Sequence, residues 1–176
     1  MRWIVFILLA FACVMVQTTL AQIVWIPTPA GGIVPVLPAC VAVFVALFAR
    51  SGTDAALAGW ALGLGVDLTL SGPGMGLLSL LFAAAGGVVF HLRQAFFPER
   101  AATQVLLGGL FYVLVFELWA VYMCLLGDFA PAGLKMRALQ ALGIAAYTAA
   151  LTPLVCAGLE RLERWIFVVP SSRERR

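Results

Sequence analysis

Two carboxylates, Asp67 and Glu117, interrupt long apolar runs. Two such groups sharing one proton across facing helices could hydrolyse a bond. The stretch Gly63-Leu64-Gly65-Val66-Asp67 invites a comparison with intramembrane aspartyl proteases. In those enzymes the aspartate directly follows the second glycine, whereas here Val66 intervenes. Glu117 also reads as deeper in its span than Asp67, so the two are not placed to share a proton. Ser79 lacks the flanking glycine pattern and the membrane-depth histidine that a serine nucleophile of the rhomboid type needs. His91 has no second imidazole near it in sequence and reads as an interfacial residue. Cys13, Cys40, Cys124 and Cys156 have neither metal-ligand nor redox spacing and read as small packing residues. No phosphate-binding glycine loop is present. We therefore expect no catalytic residue, no metal and no cofactor.

Asp67 has a structural reading instead. On a helix, Gly59, Gly63 and Asp67 fall on one face, four residues apart. Glycines on such a face let a second backbone come close, which is how helices associate in lipid. Ser71-Gly72-Pro73-Gly74 follows as a tight turn into the next helix, whose first amides are unpaired and carry partial positive charge. The expectation is a carboxylate turned toward that helix start. Gly59, Gly63, Gly65, Asp67, Ser71, Gly72, Pro73 and Gly74 are then a structural hairpin. Glu117 is expected to pair with Tyr147 or Thr148 on the last span. The alternative reading makes Gln17, Asp67 and Glu117 the polar groups of a solute pocket.

Positioning these residues requires a membrane. The chain is 64% hydrophobic and only 11% charged, with a mean hydropathy of +1.07. A soluble domain of 176 residues cannot bury that much apolar surface. The expected fold is an all-α polytopic membrane protein, a single domain over 1–176 with six transmembrane helices in a compact bundle. Its spans run over about 3–20, 34–49, 54–70, 74–92, 101–126 and 138–159, followed by a cytoplasmic amphipathic tail at 160–176. Pro153 is expected to kink the last span. Ala141, Ala145 and Ala149 give that span a small-residue face of its own.

Charge fixes the expected orientation. With both termini inside, the inner segments hold Arg2, Arg50, Arg93, Arg100, Arg161, Arg164, Arg173, Arg175 and Arg176, and the outer ones only Lys135 and Arg137. That bias satisfies the positive-inside rule. A competing reading takes span one as a cleaved signal segment ending near Thr19-Leu20-Ala21. No basic stripe interleaved with aromatics marks a nucleic-acid surface.

The pattern Gly59-x-x-x-Gly63-Leu64-x-x-Asp67-x-x-x-Ser71-Gly72-x-Gly74 lies between an Arg50-Ser51-Gly52 loop and a Leu92-Arg93 span end. It resembles the rod-shape-determining MreD family. The likeness extends to the chain length, the Arg2-Trp3 start, the Gln17-Thr18-Thr19-Leu20 end of span one and the charged tail. Its specific part covers about residues 50–93. The resemblance implies a non-enzymatic subunit of the wall-elongation machinery in the bacterial inner membrane. It further implies a fold similar to the substrate-binding subunits of energy-coupling-factor transporters. The partners it implies are MreC, the elongation-specific penicillin-binding protein, RodA and, indirectly, the MreB system. A small-solute binding or transport subunit of the energy-coupling-factor type is the competing expectation.

Overall fold

The computed structural model describes residues 3–28, 31–69, 76–96, 100–126 and 134–161. In chain order these form α1 (Trp3–Ile23), a hairpin of β1 (Ile26–Thr28) and β2 (Gly31–Ile33), α2 (Leu37–Phe48) and α3 (Gly52–Thr69). α4 (Leu77–Leu92) follows and runs into a 3-10 turn (Arg93–Ala95), then α5 (Ala101–Leu125) and α6 (Leu134–Glu160). The segments Leu77–Ala95, Ala101–Leu125 and Met136–Glu160 are each long and apolar enough to cross a bilayer. Shorter apolar helices cover Trp3–Thr19 and Leu37–Phe48. The chain has the helices of a membrane protein.

The architecture centres on α2. It has 12 residues, about 18 Å of helix, well short of the ~30 Å hydrocarbon layer. All its residues from Pro38 to Leu47 are buried, and it packs against each of the other five helices. Its sequence explains this placement. A helix that is apolar all round has no face to give to water, and Ala39, Ala42 and Ala46 are small enough for neighbours to close in on every side.

α2 starts at Leu37, not at residue 34 as expected, and Val36 is its extended N-cap. Pro35 has no N–H to donate and forces Val34 away from helical geometry, so the first residues of the apolar run stay outside the helix. The neighbouring helices are close to their expected bounds: α1 and α6 are longer, and α4 begins three residues late. α6 is helical through Pro153.

The hairpin was not anticipated from sequence. It is antiparallel, with Ile26 opposite Ile33 and Thr28 opposite Gly31. It is tied to α6: Gln140 Nε2 donates to the Gly32 carbonyl at 2.9 Å, and Ile33 lies where a side chain on Gly143 would stand. The hairpin, the start of α2 and the start of α6 therefore share one end of the bundle. At the opposite end, Arg93 reaches the last carbonyls of α2, and Gly52 lies against Phe90.

α3 and α4 form the most intimate pair. A Cβ on Gly59 would stand 2.5 Å from the Phe82 carbonyl oxygen, and one on Gly63 would stand 2.7 Å from Ser79 Cα. Both approaches are to backbone, so no side-chain adjustment could relieve them. Beside this pair, Phe82 packs edge-on to Phe111 of α5, with ring centroids 5.1 Å apart.

Candidate functional site

Four polar side chains of this bundle, Asp67, Gln17, Thr148 and Arg93, meet backbone groups at the ends of two helices. Asp67, in the last turn of α3, is buried at 6% exposure. Its Oδ2 accepts hydrogen bonds from the Gly76 N–H at 3.1 Å, the Ser79 N–H at 3.0 Å and the Ser79 hydroxyl at 2.8 Å. Gly76 is the N-cap of α4, and its own position supplies no side-chain cap. A capping side chain normally bonds the amide three residues into its own helix. Here the preceding helix supplies that acceptor, and its negative charge faces the positive end of the α4 dipole.

Gly76 has φ +94°, a left-handed conformation that glycine adopts without strain. It lets the chain turn so that its own amide and that of Ser79 point at one carboxylate oxygen. Of the expected hairpin, Gly59, Gly63 and Asp67 are brought together against α4. Gly65 faces elsewhere, toward α1, where a Cβ would stand 2.7 Å from Val14 Cγ2. Ser71, Gly72, Pro73 and Gly74 lie outside the described residues.

The start of α2 is closed from two sides. Gln17 of α1 accepts from the Leu37 N–H through Oε1 at 2.8 Å and donates through Nε2 to the Pro35 carbonyl at 3.0 Å. Thr148 of α6 accepts from the Val36 N–H at 3.1 Å. Without water, each of these backbone groups would cost several kcal/mol if left unpaired. A helix can begin inside a low-dielectric bundle only where neighbours provide such acceptors.

The far end of α2 is closed by one cation. Arg93 Nη1 donates to the carbonyls of Leu47 at 2.7 Å, Ala49 at 2.6 Å and, more weakly, Ala46 at 3.4 Å. The guanidinium carbon lies 4.1 Å from the Phe90 ring centroid, a cation–π arrangement that holds it in place. The positive charge complements the negative end of the α2 dipole.

Glu117 takes a different place from the expected one. It is half-buried on α5 and has no hydrogen-bond partner among the described residues. Thr148, its expected partner, is committed to Val36, and Tyr147 lies toward Gln17 and Leu37 beside a smaller cavity. Sequence depth alone placed Glu117 level with these residues, but the backbone need at the start of α2 takes the hydroxyl. Thr152 donates to the Thr148 carbonyl at 2.8 Å, so both buried threonines of α6 serve main-chain groups. The four cysteines are free thiols. Among the described residues, no group of His, Cys, Asp or Glu side chains is placed to hold a metal ion.

Sequence reasoning missed three participants. Gln17 read as a polar group of a solute pocket, Thr148 as a partner of Glu117, and Arg93 as a topology charge. The available signal was the pair Pro35 and Pro38, which marks a helix start inside an apolar run and so a demand for acceptors. Comparison with family models, with curated proteins and with solved structures gives no match for the chain.

Proposed function

We propose that this chain is a non-enzymatic scaffold in a bacterial inner membrane, of the MreD kind, that presents rigid helix faces to wall-elongation proteins. One observation carries the reading. Asp67, Gln17, Thr148 and Arg93 each spend their polar atoms on backbone groups at a helix end. Side chains used in this way fix helices relative to one another. The glycine–aspartate hairpin that resembles the MreD pattern is also the tightest helix pair in the bundle.

In this reading the chain crosses the membrane six times, with α2 as a short central post whose crossing is completed by the non-helical residues 34–36 and 49–51, in an arrangement similar to energy-coupling-factor binding subunits. Both termini are cytoplasmic. Arg50, Arg93, Arg100 and Arg161 then face the cytoplasm, while the hairpin and Arg137 face the periplasm, in keeping with the positive-inside rule. The fit of Arg93 to the end of α2 that precedes Arg50 supports grouping these charges at one end.

The partners in this proposal are MreC first, then the elongation-specific penicillin-binding protein and RodA, with the MreB system reached indirectly. The test is depletion of the chain in its rod-shaped host, combined with capture of a tagged copy from membranes. Rounding of the cells and recovery of MreC with the tag are expected. Cells that keep their rod shape after clean depletion, with no second copy of the gene, would overturn the proposal.

A further inference from the structure

A cavity of about 310 Å³ lies beside the start of α2, between α1, α3, α5 and α6. Val14, Val66 and Ile144 give it aliphatic walls, and Tyr112 and Phe116 give it an aromatic one. These two rings are stacked on each other, with centroids 4.2 Å apart and planes 18° apart. Gln17 reaches the rim with its amide already bonded to the start of α2.

Tyr112 is the informative residue. It is only 3% exposed, and its hydroxyl has no hydrogen-bond partner among the described residues. Every fully enclosed side-chain nitrogen or oxygen there has a partner, so this hydroxyl is not fully enclosed, and Tyr112 lines the cavity. Buried polar groups are nearly always paired, so an unpaired hydroxyl on a residue that lines a half-open apolar cavity marks where a ligand atom would sit.

The volume restricts the occupant. An apolar cavity of ~150 Å³ takes one benzene, and small-molecule pockets begin at ~300 Å³. A saturated acyl segment would fill the space but leave the hydroxyl unpaired and make no use of the aromatic wall. We infer that the cavity binds a planar, mostly apolar molecule of one or two fused rings whose single hydrogen-bonding group meets the Tyr112 hydroxyl. The site is separate from Asp67, whose carboxylate is committed to α4. It stands whether or not the scaffold proposal holds.

The test uses the full chain in nanodiscs of phosphatidylethanolamine and phosphatidylglycerol, with 5-fluoroindole as the probe and empty discs as the reference. Fluorine NMR should show a saturable shift above the partitioning seen in empty discs. Tyr112→Phe keeps the ring stack and removes only the hydroxyl. It should weaken binding roughly five-fold with an unchanged melting temperature. Val66→Phe, which fills the chamber, should abolish the saturable component. Solvent extraction of the chain purified from membranes distinguishes the sources. A ring-bearing molecule displaced by the probe indicates a membrane-borne ligand, and an empty chain that binds the probe indicates one from the aqueous phase. Either supports the inference. No saturable binding, unchanged affinity in Tyr112→Phe, or displacement of a saturated acyl chain would overturn it.

Discussion

The carboxylate of Asp67 stands 3.0 Å from the backbone N–H of Ser79, closing the start of α4 from the helix before it. Two antiparallel helices are thereby joined at their shared end by charge and along their length by glycine. Asp67→Leu removes the acceptor and leaves a half-buried donor at Gly76 and buried donors at Ser79. Because an unsatisfied buried group costs about 1–3 kcal/mol, the expected loss of stability is about 2–4 kcal/mol. Asp67→Asn keeps one acceptor oxygen and should lose less than half as much. Unfolding in nanodiscs, followed by far-UV circular dichroism, measures both.

Gly63 lies against the α4 backbone, with the position of an added Cβ 2.8 Å from the Leu78 carbonyl oxygen. Gly63→Leu should therefore force α3 and α4 apart, because the obstructing atoms belong to the main chain. The expected result is loss of the folded protein from membranes. Gly87, with open space around its Cβ direction, should accept alanine with a change within about 0.5 kcal/mol. Membrane levels of the two variants, measured by blotting, make the comparison.

Arg93 bonds the carbonyls of Leu47 and Ala49 with one nitrogen. Arg93→Met keeps much of the apolar stem and loses the donors. A destabilisation of about 1–3 kcal/mol is expected. Arg93→Lys should recover only part of it, since an ammonium cannot reproduce the planar stacking on Phe90. Thermal unfolding of the three proteins in the same lipid tests the order.

Gln17 and Thr148 bond adjacent amides, those of Leu37 and Val36. Gln17→Leu and Thr148→Val should each weaken the start of α2. Their effects should be non-additive by more than about 0.5 kcal/mol, as for residues sharing one network. A double-mutant cycle on unfolding free energy reads the coupling, and strict additivity would show that the two bonds act independently.

How much of this was legible in sequence depends on what each residue's partner is. The direction of Asp67 followed from local spacing, because its partners lie within twelve residues along the chain. The glycine face of α3 followed from the helical repeat alone. Arg93, Gln17 and Thr148 were not legible, since they act on backbone 44, 20 and 112 residues away. A buried amide does not announce its acceptor in sequence. The central position of α2 was hidden for a related reason, because an apolar helix looks the same whether lipid or protein surrounds it. The hairpin at 26–33 escaped because three-residue strands carry too little alternation to register.

The central claim is that buried polar side chains here serve to hold helix ends. Its most direct test compares the unfolding free energies of Asp67→Leu and Glu117→Gln in the same nanodiscs. Asp67 is bonded to a helix start, whereas Glu117 has no hydrogen-bond partner among the described residues. The account predicts a loss of about 2–4 kcal/mol for the first and a change within about 0.5 kcal/mol for the second. Equal losses, or a larger loss at Glu117, would contradict it.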